Sequence, residues 1–139
     1  MIVLDTNVLS ELMKPSPSKA VQRWVMAQSV SNLFTTTITQ AELLYGIHIL
    51  PQGARKQRLK AAVTELLEEY FAGKILPFGQ TAAERFATIS AHRRSVGNPI
   101  SQLDAQIAAI CSAYQASIAT RNVKDFVDCQ IDVIDPWIV

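Results

Sequence analysis

Short apolar or β-branched runs alternate along this chain with longer stretches of helical spacing, and that alternation restricts the fold more than any other feature. The runs are "MIVLD", "LFTTT", "KILPF", "ASIAT" and "IDVID". Strands separated by helices pair in parallel through right-handed crossovers, which places helices on both faces of the sheet. The expected fold is α/β, a three-layer α/β/α sandwich around a central parallel sheet of about five strands. At 139 residues the whole chain, 1–139, is expected to be one domain.

The intervening stretches carry helix signals. In "SPSKAVQRWVMAQ", Ser16 is the expected N-cap and Pro17 the first helical residue, with Val21, Trp24 and Val25 on one face. "ITQAELLYGIHIL" is predicted to run as a helix until Pro51. In "ARKQRLKAAVTELLEEYF", Leu59, Val63, Leu66, Leu67, Tyr70 and Phe71 keep helical spacing. "TAAERFATISAHRRSVG" closes on Gly97. "SQLDAQIAAICSAYQ" places Leu103, Ile107, Ile110, Cys111 and Tyr114 on one stripe. Asp-Thr-Asn after the first run and "RNVKDF" after the fourth read as turns.

Several function classes find no support. The formal net charge is +1, so bulk charge does not mark a nucleic-acid binder, and only the placement of charge can. Cys111 and Cys129 lie in no CxxC pair and read as small core residues, which suits a reducing cytosol. The N-terminus lacks a basic n-region and no run of 18 apolar residues occurs, so neither a signal peptide nor a membrane span is expected. Phosphate-cradling glycine motifs and a GxSxG elbow are absent. His48 and His92 share no ligand spacing. Arg55, Lys56, Arg58 and Lys60 form a basic cluster that is either a solvated helix face or a nucleic-acid surface, and Arg93 and Arg94 lie elsewhere on a helix whose charges read as solvated surface.

The acids are more telling. Asp5 ends the first run, and Glu42 lies in the expected first turn of the helix after the second. Asp104 lies in the first turn of the helix starting near Ser101, and Asp125 lies just beyond the fourth run. Taken singly, each has a plain reading. Thr39-x-x-Glu42 and Ser101-x-x-Asp104 match the capping box, Asn122-x-x-Asp125 matches it more weakly, and Asp5 can cap the segment after it. Taken together, four acids at equivalent βα junctions reach one edge of a parallel sheet, where they repel unless a cation sits among them. An oxygen-only donor set without His or Cys suits a hard ion, Mg²⁺ or Mn²⁺. Arg121 and Lys124 flank this edge, where a phosphate backbone would pass.

With these residues in view, the chain resembles the PIN-domain family, specifically the VapC-type toxin endoribonucleases and their FitB-like branch. "MIVLDTNVLSEL", "TTTITQAELLYGI", "FAGKILPF", "SQLDAQIAAI" and "IATRNVKDF" match that family's blocks in order, and the ending "VIDPW" resembles the FitB-like branch. The resemblance implies Mg²⁺-dependent RNA cleavage, a homodimer, and a small VapB/FitA-like antitoxin partner that binds DNA. It makes Asp5, Glu42 and Asp104 the three core acids. The fourth position is open, because some relatives carry Asp where this chain has Asn122 and others place an acid at Asp125. Thr6 and Asn7 would hold the Asp5 loop, with Thr120 and Asn122 as further supports. Gly79 departs from the commoner Asp of that block, away from the core site.

The mechanism this implies is metal-assisted phosphodiester hydrolysis. Asp5 and Asp104 hold the ion, Glu42 binds directly or through water, and a metal-activated water attacks in line. Products would carry 5′-phosphate and 3′-hydroxyl ends. Two other classes stay open: a phosphatase or phosphotransferase using Asp5, and a non-catalytic module that binds a partner. Asn7 counts against the first, since the aspartyl-phosphate enzymes of haloacid-dehalogenase type want a second Asp there.

Overall fold

The computed structural model describes residues 1–139. Five strands, β1 (Ile2–Leu4), β2 (Leu33–Thr36), β3 (Ile75–Leu76), β4 (Ser117–Ala119) and β5 (Val133–Ile134), form one sheet in the order β3-β2-β1-β4-β5. Every neighbouring pair is parallel, with Ile2 opposite Leu33 on one side and opposite Ser117 on the other. Six helices connect and cover the strands: α1 (Thr6–Leu12), α2 (Lys19–Met26), α3 (Thr37–His48), α4 (Ala54–Glu65), α5 (Gln80–Ser95) and α6 (Gln102–Ala113). The expected α/β/α sandwich is the fold observed.

Consecutive strand residues face opposite ways, and the two cores follow from that. Val3 and Ile118 point into a core with Ile107, Ile110 and Phe126, which α5 and α6 cover. Their neighbours Leu4 and Ala119 point into the other, with Leu9, Val21, Leu33, Val63 and Phe71 from the α1–α4 side. Burying one such Leu or Ile side chain stabilises by about 1.5–3 kcal/mol. Both faces of β1 are dry, which is why it reads as an unbroken apolar run.

The order 3-2-1-4-5 has one reversal. From β1 the chain winds outward through β2 and β3, then returns to place β4 on the other side of β1. Crossovers leave opposite faces at that point, so a crevice opens beyond the carboxyl ends of β1 and β4. The last residues before it are Leu4 and Ala119.

Several local expectations are corrected. Asp-Thr-Asn does not form a turn but starts α1. Asp5 is its N-cap, extended at φ −70°, ψ 162°, and its carboxylate accepts the Thr6 N–H. α2 starts at Lys19 with Ser18 as its cap, not at Pro17 behind Ser16. The cap of α3 is Thr36, whose hydroxyl accepts the Thr39 N–H at 3.1 Å, so Glu42 sits in the second turn and no Thr39–Glu42 capping box exists. Asn122 makes no side-chain cap bond to the 3₁₀ turn Val123–Phe126. Of the α6 stripe, Ile107, Ile110 and Cys111 are buried, whereas Leu103 and Tyr114 are exposed. Ala105, Ala108 and Ala109 are buried instead, because α6 packs flush against its neighbours through small residues. Beyond α4 the chain widens into a π turn, Leu66–Tyr70, closed by Phe71 N–H donating to Leu66 O at 2.9 Å. That extra residue per turn swings Tyr70 outward while Phe71 is fully buried.

Candidate active site

Asp5 stands at the reversal. Its own N–H donates to Ala119 O at 3.0 Å, tying the end of β1 to β4. One carboxylate oxygen, Oδ1, accepts the Thr6 N–H at 2.8 Å. The other, Oδ2, accepts from the Thr120 hydroxyl at 2.8 Å and, more weakly, from the Asn7 amide at 3.4 Å. Thr120 is fully buried at the end of β4 and links the whole corner, because its oxygen also accepts from Asn7 Nδ2 at 3.2 Å and from the Asn122 N–H at 3.1 Å. Asn7 completes the lattice by accepting the Arg121 N–H at 3.2 Å. Thr6, Asn7 and Thr120 thus fix Asp5, while Asn122 joins the corner only through its backbone N–H.

Around Asp5 opens a cavity of about 440 Å³. Glu42 and Asp104 line it, as do Arg121 and Asn122. The Thr6 hydroxyl holds Glu42 Oε1 at 2.9 Å and touches the Thr39 hydroxyl at 3.0 Å, so α1 and α3 are joined at the cavity floor. Ser101 caps α6 through the Asp104 N–H at 3.3 Å, one half of the expected capping box. Asp104 reaches the cavity from the first turn of a helix that follows α5 with no strand between, so it does not stand at the βα junction expected for it.

Asp125 does not line this cavity. With Lys124 it lines a separate hollow of about 400 Å³, and Asp104 forms part of both walls. Asn122, not Asp125, therefore shares the space around Asp5, while Asp125 acts on Asp104 from behind. Lys124 is likewise turned away from Asp5, and Arg121 is the flanking cation that reaches the cavity.

The electrostatics follow from crowding. Burial pushes the Asp5 carboxyl up to about 6, against the lowering pull of the Thr120 and Thr6 bonds, and the charges of Asp104 and Glu42 add to the rise. Burial also raises Asp104, helped by Asp125 and opposed by the Ser101 bond and the Arg93 charge. The donor set is all oxygen, which fits a hard divalent ion and offers little to a soft one. No three acids close on a single point.

Some contributors were not singled out in the sequence. Glu11, Lys14 and Trp137 line the cavity too. Lys14 pairs with the buried Glu11 at 2.9 Å, and the Glu11 carboxylate also accepts the Ser18 N–H at 3.0 Å. Arg93, read as surface charge, is only 2 % exposed. Its guanidinium donates to the carbonyls of Asn98 (2.6 Å), Asp125 (2.8 Å) and Val127 (3.0 Å), clamping the approach to α6 against the loop after β4. Spacing alone hides such a residue. Only the adjacent Gly97-Asn98-Pro99 turn hinted that the end of α5 is anchored.

The comparisons with known proteins agree with this geometry. The family model described as the PIN domain matches residues 2–128. The VapC ribonuclease Y4jK of Sinorhizobium fredii is 39% identical over 141 residues, covering 99% of this chain and 98% of that one. Toxin FitB of Neisseria gonorrhoeae is 34% identical over 137 residues, covering 99% of each. In structure, FitAB bound to the IR36 DNA fragment superposes with a TM-score of 0.94 at 32% identity, covering 100% of this chain and 97% of that one. The chain belongs to the PIN-domain family, in its VapC- and FitB-type branch.

Proposed function

We propose that this protein is the toxin of a type II toxin–antitoxin pair, a divalent-metal-dependent endoribonuclease that hydrolyses RNA phosphodiester bonds. One observation carries the reading: Asp5 is buried at the sheet reversal, beside Glu42 and Asp104, and no cation of the chain is paired with any of the three. Three acids held together against their repulsion suit an external cation. The names of the relatives support the rest. Y4jK is called a ribonuclease and FitB a toxin.

In this reading Asp5 and Asp104 hold Mg²⁺ or Mn²⁺, with Glu42 acting through water. When bound, the ion supplies an acidified, oriented water and offsets charge on the scissile phosphate. Thr120, Thr6 and Asn7 keep the Asp5 carboxylate in one orientation. Asn122 borders the water positions, Asp125 tunes Asp104 from behind, and Arg121 meets a phosphate oxygen. Attack in line leaves 5′-phosphate and 3′-hydroxyl ends. Lys124, turned to the neighbouring hollow, would meet a phosphate further along the strand. We propose that residues 1–139 form one domain, because β5 and Trp137 complete the sheet and the cavity beyond the matched stretch.

The partner proposed is a small antitoxin of FitA or VapB type that binds DNA, by likeness to the FitAB structure bound to a DNA fragment. We also propose a homodimer and, since RNA is the substrate, work in the cytoplasm. No helix is long and apolar enough to cross a membrane.

Purified protein with end-labelled RNA tests the activity. Cleavage is expected with Mg²⁺ or Mn²⁺ and is expected to stop in excess EDTA while circular dichroism stays unchanged. Undiminished cleavage in the chelator would overturn the metal mechanism. Phosphate release from small phosphoesters without shortened RNA would favour the phosphotransfer class, and neither reaction would leave a partner-binding module.

A further inference from the structure

Two cations, Lys14 and Arg121, line the same cavity as Asp5, Glu42 and Asp104. Opposite charges in one partly dry space normally pair. Here neither cation pairs with these acids. Lys14 is held by Glu11, in the only ion pair of the chain. Arg121 makes no ion pair at all, although its long side chain borders the acids.

What holds Arg121 instead is an aromatic ring. Its guanidinium carbon lies 5.1 Å from the centroid of Trp137, within cation–π range. Trp137 is the one apolar residue in the cavity wall. Its backbone N–H donates to Asp135 Oδ1 at 2.9 Å, and its side chain packs against the core on the α1–α4 side. The backbone of Arg121 is anchored by Asn7. Lys14 is thus held by Glu11 and Arg121 by the ring, and neither by the acidic wall.

We propose that Trp137 is a positioning residue: by stacking with the Arg121 guanidinium it keeps that cation off the acidic wall, so that Asp5 and Asp104 stay open to a divalent ion and the guanidinium edge stays open to a phosphate oxygen. Without the ring, Arg121 is free to swing onto the carboxylates, where a bidentate pair forms readily. The arginine would then compete with the metal from within the same chain. A partly exposed cation–π contact favours the stacked rotamer by about two- to five-fold, so its loss is felt as a modest change in metal affinity.

This inference rests on the metal-site reading above, and the test separates the two. The full chain is titrated with Mn²⁺ alone, free ion being read by electron paramagnetic resonance, and folding is checked by near-ultraviolet circular dichroism. Trp137→Leu keeps an apolar side chain against the core but removes the ring, and it should weaken Mn²⁺ binding about two- to five-fold. Trp137→Phe, which keeps a weaker stack, should fall between that variant and the wild type. Arg121→Gln should bind Mn²⁺ no more weakly than the wild type. Adding Arg121→Gln to Trp137→Leu should restore the affinity, because the competitor is gone. A double variant as weak as Trp137→Leu would show that the ring acts only through packing, and a Trp137→Leu protein that binds like the wild type would show that it does not act at all; either result overturns the proposal. A wild-type chain that binds no Mn²⁺ would remove the metal site itself, and this inference with it.

Discussion

Replacing Asp5 with Asn should make the metal-free protein more stable at neutral pH, although Asp5 is the residue proposed above to hold the metal. The Asp5 carboxyl titrates near 6 in the folded chain against an ordinary 3.8. At about 1.36 kcal/mol per pH unit, that interval amounts to about 3 kcal/mol. The sign comes from proton binding. The folded chain holds this proton more tightly than the unfolded one, so the contribution is fully present below 3.8 and is lost as pH rises through about 6. By pH 7.5 the buried carboxylate costs the fold about 3 kcal/mol relative to an uncharged group. Asn is uncharged but fits less well. Its amide nitrogen would face the Asn7 amide and the Thr120 hydroxyl, both of which now donate to Oδ2. One poorly matched hydrogen bond costs about 1 kcal/mol. The net gain at pH 7.5 is about 2 kcal/mol, or about 5–7 °C in melting temperature for a chain of 139 residues. Near pH 4 the folded carboxyl is protonated and most of its charge penalty is gone, so the variant should have lost its advantage and be slightly the less stable. Urea unfolding in excess EDTA from pH 4 to pH 8 reads this directly. A variant that is less stable at every pH, by a constant amount, would refute the account of Asp5 as a strained, metal-awaiting acid.

Saturating Mg²⁺ in the same melts should stabilise the wild type and leave Asp5→Asn unmoved. Thr120→Val removes the buried donor to Asp5 and should lower RNA cleavage about 10–100-fold, the usual cost of losing a group that orients a metal ligand; an unchanged rate would demote Thr120 to a packing residue. Asn122→Ala, with no cap bond to lose, should shift urea stability by less than about 0.5 kcal/mol. Asp125→Asn should remove a charge that raises Asp104 and so move the acid limb of the rate–pH profile downward, not abolish cleavage; complete inactivity would restore Asp125 as a site ligand. Arg93→Met strands three carbonyls in a buried setting and should cost about 3 kcal/mol or more in urea unfolding; a change below about 1 kcal/mol would refute the clamp.

The sequence by itself determined the layers and the acids. β1 and β4 are dry on both faces, so each reads as an apolar run, and a run that ends in Asp5 just before a helix places that acid at the carboxyl end of a parallel strand. Glu42 was legible for a related reason, since α3 starts directly after β2, whereas Asp104 lies on a helix that follows α5 with no strand between them, so only its place in a first helical turn was local. Beyond local reading lay the choice among equivalent caps: Ser16 or Ser18, Thr36 or Thr39. Neighbouring hydroxyls have the same chemistry, and only the packing of Val21 or the hydrogen bond from Thr6 to Glu42 selects one. The tertiary structure alone decided which acid faces which hollow. It put Asn122 beside Asp5 and turned Asp125 away because Arg93, from a helix some thirty residues earlier, fixes the carbonyls of that turn. It also brought Trp137 from the far end of the chain to Arg121. Spacing encodes faces of helices and strands, whereas burial, strand order and the pairing of distant charges arise only when the two cores close on the sheet.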